Sequence, residues 1–310
     1  MYPIVFENLY YEKIWGGQGL KRFRGNLPKG SIGESWDIAC HEHGMSIISN
    51  GKLKGKSFKE AINLYGQRLI GNNICTDKFP LLVKLISAED KLSIQVHPND
   101  DFARKEENQL GKTEAWYVLD AKDEAELIIG TKNCDREIFR QAINNKTIEK
   151  YLNVVKVKKG DFFYIESGMI HGICGGVTLV EIQENSDITY RVYDYDRGRE
   201  IHVDKALEVI DFSLNVENVQ KNSVIEKGYS KTNLCHEKYF NIEKYDIDTI
   251  AEEESDINKF YLFTCVNGKG KIVSKEDMVN FNTGDSILIP ACLGGYSIEG
   301  RCEMLKSYVP

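Results

Sequence analysis

Short apolar runs separated by polar turns make up most of this chain of 310 residues. Residues 81–87, 92–97 and 115–119 are rich in Leu, Ile, Val and aromatic side chains, and Gly, Asn and Asp cluster between such runs. Runs of this length with turn-forming residues at their ends are typical of antiparallel β-strands. Apolar residues at helical spacing are confined to residues 58–69, 136–151 and 203–210. The pattern predicts a mainly β protein with a few peripheral helices.

A weak internal repeat organises the chain. Residues 160–171 place a Gly-Asp turn before an apolar strand, then a second turn and His171, and residues 284–295 repeat this layout with Gly295 at the place of the histidine. The layout resembles the second conserved motif of cupins, small double-sheet jelly rolls. We therefore predict two cupin β-barrels. Residues 1–225 would form a catalytic metal-binding domain with helical insertions, and residues 226–310 a cupin-like domain without a metal site, joined in the polar stretch 215–230.

The composition limits the class of protein. Hydrophobic residues make up 42% of the chain and charged residues 28%, with only 6 prolines, which argues for a packed globular protein and against disorder. The net charge of -7 gives no overall attraction to nucleic acid or to an anionic membrane. We expect neither as a partner, and the oligomeric state is left open.

The termini and the cysteines point to the cytoplasm. The first residues lack a basic segment followed by an apolar run, so no signal peptide is expected. No apolar stretch approaches the ~18 residues of a spanning helix. The eight cysteines are scattered and include no C-x-x-C pair, which favours reduced thiols in a cytoplasmic protein.

Three residues at strands or strand ends are candidate metal ligands: His97, Glu114 and His171. Two imidazoles and a carboxylate that leave a coordination position open are the ligand set of a catalytic zinc. Gln95 lies two residues before His97 and so shares its face of the strand, where it can add a neutral ligand or a supporting hydrogen bond. An inward-facing Glu114 needs a cationic partner, because an unpaired buried carboxylate is costly.

Two basic residues accompany these ligands. Lys112 shares the face of Glu114 by strand parity, and Arg191 lies between aromatic residues in a predicted strand. Taken alone, each could be a solvent-facing side chain. If the three ligands converge, Lys112 and Arg191 would instead supply positive charge for an anionic substrate.

Several ordered motifs resemble those of type I mannose-6-phosphate isomerases in their short bacterial form. The motifs are Trp15-Gly16-Gly17, Gly33-Glu34-Ser35-Trp36, Gln95-Val96-His97-Pro98, Lys112-Thr113-Glu114, Glu181-Ile182-Gln183 and residues 186–194. The resemblance is strong over about residues 1–215 and weaker beyond. It implies one zinc ion held by the residues matching His97, Glu114 and His171, with the glutamine matching Gln95 sometimes counted as a ligand. It also implies a catalytic Arg191 and places Lys112 in the sugar-phosphate pocket.

The resemblance implies interconversion of mannose 6-phosphate and fructose 6-phosphate through an enediol. Lys112 and Glu181 are the acid-base candidates, and the residue that abstracts the proton is left open. Two other functions are compatible with the ligand types. A cupin oxygenase could bind non-haem Fe(II) with two histidines and a carboxylate, and a non-catalytic sugar-binding protein could keep the fold.

Overall fold

The computed structural model describes residues 1–216, 222–275 and 277–310. The helices are α1 (Phe58–Tyr65), α2 (Gln67–Ile70), α3 (Asp100–Glu107), α4 (Arg136–Asn144) and α5 (Val203–Val209), and the three-residue-per-turn helices are Gly19–Arg22, Gly51–Leu53 and Ile148–Tyr151. The first strands are β1 (Ile4–Val5), β2 (Leu9–Gly17), β3 (Ile32–Ile38), β4 (Cys40–His41), β5 (Gly44–Met45), β6 (Leu81–Ala88), β7 (Ile94–Val96), β8 (Glu114–Ala121), β9 (Glu126–Thr131), β10 (Leu152–Lys156), β11 (Phe162–Ile165), β12 (His171–Ile173), β13 (Val177–Glu184) and β14 (Tyr190–Tyr193). The later strands are β15 (Ser223–Glu226), β16 (Tyr229–His236), β17 (Asn241–Ile247), β18 (Ile250–Glu254), β19 (Tyr261–Ser274), β20 (Met278–Asn282), β21 (Ser286–Ile289) and β22 (Gly295–Tyr308).

The strands form three large antiparallel sheets and one small hairpin. A six-stranded sheet has the order β11-β8-β13-β6-β3-β2, and a five-stranded sheet has the order β10-β9-β12-β7-β14. A nine-stranded sheet contains β1 and all strands from β15 onward, and β4 pairs with β5. The predicted mainly β architecture is confirmed. None of these sheets closes on itself among the described residues, so the prediction of two barrels is not confirmed.

The six-stranded sheet lies between the other two. Side chains on one face, such as Val83 and Ile182, pack in a cluster with Leu262 and Leu305 of the nine-stranded sheet. The alternate residues, such as Trp116, pack in a second cluster with residues of the five-stranded sheet. Because both faces are covered, β6 and β13 are buried along their whole length. β6 accordingly reads as a largely apolar run without the alternation of a half-exposed strand, whereas half of the residues of β13 are buried polar or charged side chains.

The division into two domains remains a prediction. Residues 217–221 of the expected linker lie outside the described residues, and β15 begins two positions after them. The first strand, Ile4–Val5, joins the nine-stranded sheet by pairing with β21. In the described residues no helix is long and apolar enough to cross a membrane.

The Gly-Asp repeat is visible as a duplicated turn. In the first copy Gly160 N–H donates to Val118 O at 2.9 Å, and Val118 N–H donates to Asp161 O at 2.9 Å. In the second copy Gly284 N–H donates to Cys265 O at 2.7 Å, and Cys265 N–H donates to the carbonyl of the aspartate after Gly284 at 2.9 Å. Both glycines have positive φ, 91° and 97°, which favours glycine over other residues. Val118 and Cys265 therefore occupy equivalent positions.

The equivalence of Val118 and Cys265 identifies the residues of the second copy that correspond to the polar residues of the first copy. Glu114 lies four positions before Val118, and Tyr261 lies four positions before Cys265, so Tyr261 corresponds to Glu114. The strand registers match Glu181, paired with Trp116, to Lys306, paired with Phe263. Lys306 is buried, its Nζ lies 2.9 Å from Glu253 Oε2, and it sits 3.9 Å from the centroid of the Tyr261 ring. In the second copy, the position of the polar residues of the first copy is thus occupied by a buried Lys306–Glu253 ion pair next to aromatic rings.

We expect Lys306→Ala to lower the free energy of unfolding by about 3 kcal/mol, because it removes one partner of a buried ion pair. Glu253 would keep only Lys231, whose Nζ lies 2.6 Å from Oε1. Lys271→Ala is the matched control, since its pair with Glu299 lies at the surface. Urea unfolding measures both variants, and equal stability of the two would contradict a structural role for the internal lysine.

Candidate active site

The three predicted ligands come from facing sheets. His171 opens β12, and His97 directly follows β7, its neighbour in the five-stranded sheet. Glu114 opens β8 of the six-stranded sheet. The space between the two sheets is therefore where the three side chains meet.

The three side chains form a compact buried cluster. Glu114 Oε2 lies 3.5 Å from His97 Nε2, and Glu114 Oε1 lies 3.5 Å from His171 Nε2. The three ligand atoms all lie within 4.8 Å of one another. None of the residues is more than 1% exposed. The convergence expected from the sequence is present in the fold.

Backbone carbonyls orient both imidazoles. His97 Nδ1 lies 2.7 Å from Ile188 O, and His171 Nδ1 lies 2.9 Å from Met169 O. A carbonyl accepts only from a protonated Nδ1, so each Nε2 presents its lone pair toward Glu114. Burial, and then the charge of Lys112, lowers the pKa of His97 to about 3, and burial lowers that of His171. Both rings are neutral at pH 7, the form that binds metals.

Glu114 forms an ion pair with Lys112 but accepts no hydrogen bond within the described residues. Within the described residues neither carboxylate oxygen receives a hydrogen bond of acceptable angle, although Lys112 Nζ lies 2.7 Å from Oε2. Burial alone would raise the pKa of Glu114, but Lys112 and the two histidines outweigh it and hold the pKa well below its usual range. An ionised, fully buried carboxylate that accepts no hydrogen bond within the described residues and faces two imidazole lone pairs fits a divalent cation.

Gln95 is brought to the same cluster. It lies directly opposite His171 in the strand ladder, and its amide nitrogen is 3.3 Å from His171 Nε2. Ser93 Oγ donates to Gln95 Oε1 at 3.3 Å. Its role as a fourth ligand remains a prediction.

A second buried network adjoins the ligands. Glu181 Oε1 lies 3.0 Å from Lys84 Nζ and 3.9 Å from Lys112 Nζ, and Trp116 Nε1 donates to Glu181 Oε2 at 3.0 Å. Desolvation would lower the pKa of Lys112, but Glu114 and Glu181 outweigh it and raise the pKa above its usual value. In this arrangement Lys112 is an ammonium group held between two carboxylates, and it is not a surface lysine.

Sequence reasoning missed Lys84, which is 5% exposed and lies over the Trp36 ring at 5.1 Å from its centroid. The sequence nevertheless contains an indication that Lys84 has an internal partner. Lys84 is the one charged residue in a strand of otherwise apolar character, Leu81–Ala88. A charge in a strand buried on both faces needs an internal partner.

A cavity of about 370 Å³ opens beside the cluster. Its lining includes His171, Gln95, Lys112, Glu181, Lys84, Asp187, Arg191 and Arg199. Arg191 lies opposite Gln95 in the ladder, so Arg191, Gln95 and His171 form one row across three strands. Arg191 Nε donates to Ser93 Oγ at 3.3 Å and Nη1 donates to Glu200 O at 2.6 Å. Arg191 is half-buried and faces the cavity, while Arg199 was not expected from the sequence.

His41, His43 and Asp187 form a further group at the cavity edge. Their ligand atoms also lie within 4.8 Å of one another. Here the groups already bond to each other: His43 Nδ1 is 2.6 Å from Asp187 Oδ2, and His43 N–H donates to His41 Nδ1 at 3.2 Å. The group differs from the first cluster, whose carboxylate accepts no hydrogen bond from any residue that the structure describes.

Glu184 predicts a pH effect on stability. Its Oε2 accepts from Thr113 N–H at 2.9 Å, and burial, followed by the charge of Asp100, raises its pKa from 4.5 to about 8. Between pH 4.5 and about 8, Glu184 is protonated in the folded state and ionised in the unfolded state. The free energy of unfolding therefore falls as the pH rises through this range toward 8. We expect Glu184→Gln to flatten the decline in unfolding free energy between pH 5.5 and 9. Parallel pH profiles of the variant and the parent protein in urea unfolding would contradict this pKa.

Two family models match the chain. The model of the type I phosphomannose isomerase catalytic domain matches residues 4–141, and the model of the mannose-6-phosphate isomerase cupin domain matches residues 230–309. The mannose-6-phosphate isomerase ManA of Bacillus subtilis is 38% identical over 319 residues, which cover 99% of each chain. A mannose-6-phosphate isomerase of Streptococcus mutans is 33% identical over 99% of this chain and 98% of its own. The chain belongs to the type I phosphomannose isomerase family.

A solved structure agrees with this assignment. The crystal structure of the mannose 6-phosphate isomerase from Bacillus subtilis superposes with a TM-score of 0.94 at 34% identity, over the full length of both chains. Our chain is therefore an isomerase with a cupin-family fold. Of the three functions left open by the ligand types, the isomerase is the one confirmed.

Proposed function

We propose that this phosphomannose isomerase interconverts mannose 6-phosphate and fructose 6-phosphate with one Zn²⁺ per chain, held by His97, Glu114 and His171. The observation that carries this proposal is the buried Glu114 carboxylate, which has no hydrogen bond within the described residues and lies between two oriented, neutral imidazoles. Gln95 is proposed as a further neutral ligand. We also propose a cytoplasmic location, in keeping with the eight free thiols.

The reaction moves a proton between C2 and C1 of the sugar through an enediol. Held by His97, Glu114 and His171, Zn²⁺ would supply a Lewis acid for negative charge on the sugar oxygens. We assign the proton transfer to Glu181 at the cavity wall. Lys112, whose charged atom lies 3.9 Å from that of Glu181, stays an ammonium group because Glu114 and Glu181 raise its pKa. Lys84 and Trp116 each bind one oxygen of Glu181 and so fix its carboxylate in place. A fixed general base or acid avoids reorganisation during the transfer.

Arg191 suits the stabilisation of the enediolate. Its guanidinium charge is permanent, and it lies in the same row as Gln95 and His171. Nε and Nη1 are used by Ser93 and Glu200, and within the described residues Nη2 makes no hydrogen bond. That nitrogen is therefore available to an anionic oxygen in the cavity.

A coupled assay with mannose 6-phosphate and glucose 6-phosphate as alternative substrates tests the proposed specificity. We expect fructose 6-phosphate to form from mannose 6-phosphate and no turnover of glucose 6-phosphate above background. Both hexose phosphates carry the same anionic group, so the comparison isolates the configuration at C2. Equal turnover of the two, or turnover of glucose 6-phosphate alone, would contradict the assignment.

A further inference from the structure

Asp194 is a buried carboxylate placed directly after β14, the strand that carries Arg191. It is 4% exposed and lies at the start of a turn in which residues 195 and 196 have positive φ. Arg197 Nη2 donates to Asp194 Oδ1 at 3.0 Å, and Arg199 Nε donates to Oδ2 at 2.9 Å. Arg199 Nη2 also donates to Oδ1. One carboxylate thus binds two guanidinium groups, one of them with two parallel bonds.

The carboxylate lies near three like charges and binds two of them, Arg197 and Arg199. Burial, and then the charge of Arg199, lowers the pKa of Arg191, while Asp194 acts against this effect. Burial would raise the pKa of Asp194, but Arg199 and Arg197 outweigh it and lower the pKa. The ionised Asp194 therefore offsets a repulsion that would otherwise drive the arginines apart toward solvent.

Asp194 with Arg197 and Arg199, here called the clamp, is connected to the cavity at two points. Arg199 lines the cavity itself, together with Arg191. The residue after Arg199 is Glu200, whose carbonyl accepts from Arg191 Nη1 at 2.6 Å. Two residues further, His202 N–H donates to Arg191 O at 2.7 Å. Releasing Arg199 from Asp194 would therefore disturb both the position of Arg199 and the carbonyl that orients Arg191.

We propose that Asp194 is a positioning residue, which fixes Arg199 and Arg191 at the cavity wall for an anionic sugar phosphate without contacting the substrate itself. This rests on the proposed function, because it takes the substrate to be a sugar phosphate. Asp194 does not line the cavity among the residues that the structure assigns to it. Its effect is on the placement of two cations, Arg199 for the affinity for an anion and Arg191 for the chemical step.

The test compares Asp194→Asn with Asp196→Asn. Both changes remove one carboxylate charge from the same turn, but Asp196 is 68% exposed in its side chain and pairs with Lys146 at the surface. We expect Asp194→Asn to raise KM for mannose 6-phosphate about 10- to 100-fold through the misplaced Arg199, and to lower kcat about 10-fold through the displaced Arg191. Metal content should be unchanged. Asp196→Asn should retain the parental constants.

A KM for Asp194→Asn equal to that of Asp196→Asn would overturn the proposal, as would a fall in kcat and metal content at constant KM. If Asp194→Asn does not fold, Asp194→Glu keeps the charge and moves the carboxylate by one methylene. It should then raise KM about severalfold, and an unchanged KM would overturn the proposal. If the parent enzyme does not turn over mannose 6-phosphate, the proposed function fails. Calorimetric binding of that sugar phosphate to the two asparagine variants then still tests the clamp.

Discussion

Replacing Glu114 by glutamine is expected to abolish metal binding and to lower turnover by at least about 100-fold, the loss that even the partners of metal ligands can produce. The amide keeps the shape of the side chain but removes the negative charge that faces His97 and His171 at 3.5 Å. It also removes the partner of Lys112, whose Nζ lies 2.7 Å away. The site would keep two neutral imidazoles but no anionic ligand, and the buried ammonium of Lys112 would repel a divalent cation.

Metal analysis by mass spectrometry and a coupled isomerase assay measure this outcome together. The exposed Glu124, which pairs with Lys156 at the surface, offers a matched control in Glu124→Gln. That variant should keep one metal ion and the parental rate. Full metal content together with full turnover in Glu114→Gln would remove Glu114 from the ligand set.

Arg191→Ala is expected to reduce turnover by at least about 100-fold, the scale of a lost preorganised electrostatic contact, while metal content stays intact. The alanine removes the one guanidinium that shares a row with Gln95 and His171. Arg191→Lys should recover only part of the rate, because an ammonium cannot reproduce the planar fork that binds Ser93 and Glu200. Arg140→Ala, at an exposed pair on α4, is the control. An unchanged rate in Arg191→Ala would make Arg191 a structural residue.

The three strand runs and the three helical segments named from the sequence are all present in the structure, because their patterns are local. The strands around residues 81–87 and 115–119 appear as Leu81–Ala88 and Glu114–Ala121. The helix expected over residues 136–151 ends at Asn144, because Lys146 adopts a positive φ and a short three-residue-per-turn helix follows. Helix α3 was missed, since its residues are nearly all charged. It is fixed by its ends, with the Asn99 side chain accepting from Phe102 N–H.

The site was predictable where its residues sit in short motifs and not where it depends on strand pairing. His97, Glu114 and His171 each lie in a recognisable segment, and the fold brings them together. Lys84 lines the cavity because the register of β6 and β13 places it opposite Glu181. Arg199 lines the cavity where its guanidinium binds Asp194. Whether sheets close into barrels also depends on pairing between distant strands, which apolar spacing does not specify. Such long-range registers are the part of a β-fold that single-sequence patterns leave open.

The central claim, a metal-dependent sugar-phosphate isomerase, is tested most directly by removing the metal and restoring it. The protein would be treated with a chelator, freed of it, analysed for residual metal, and assayed with mannose 6-phosphate before and after addition of one equivalent of Zn²⁺. We predict loss of activity in proportion to the metal removed and its recovery with Zn²⁺. Full activity of protein verified to be free of metal would contradict the account.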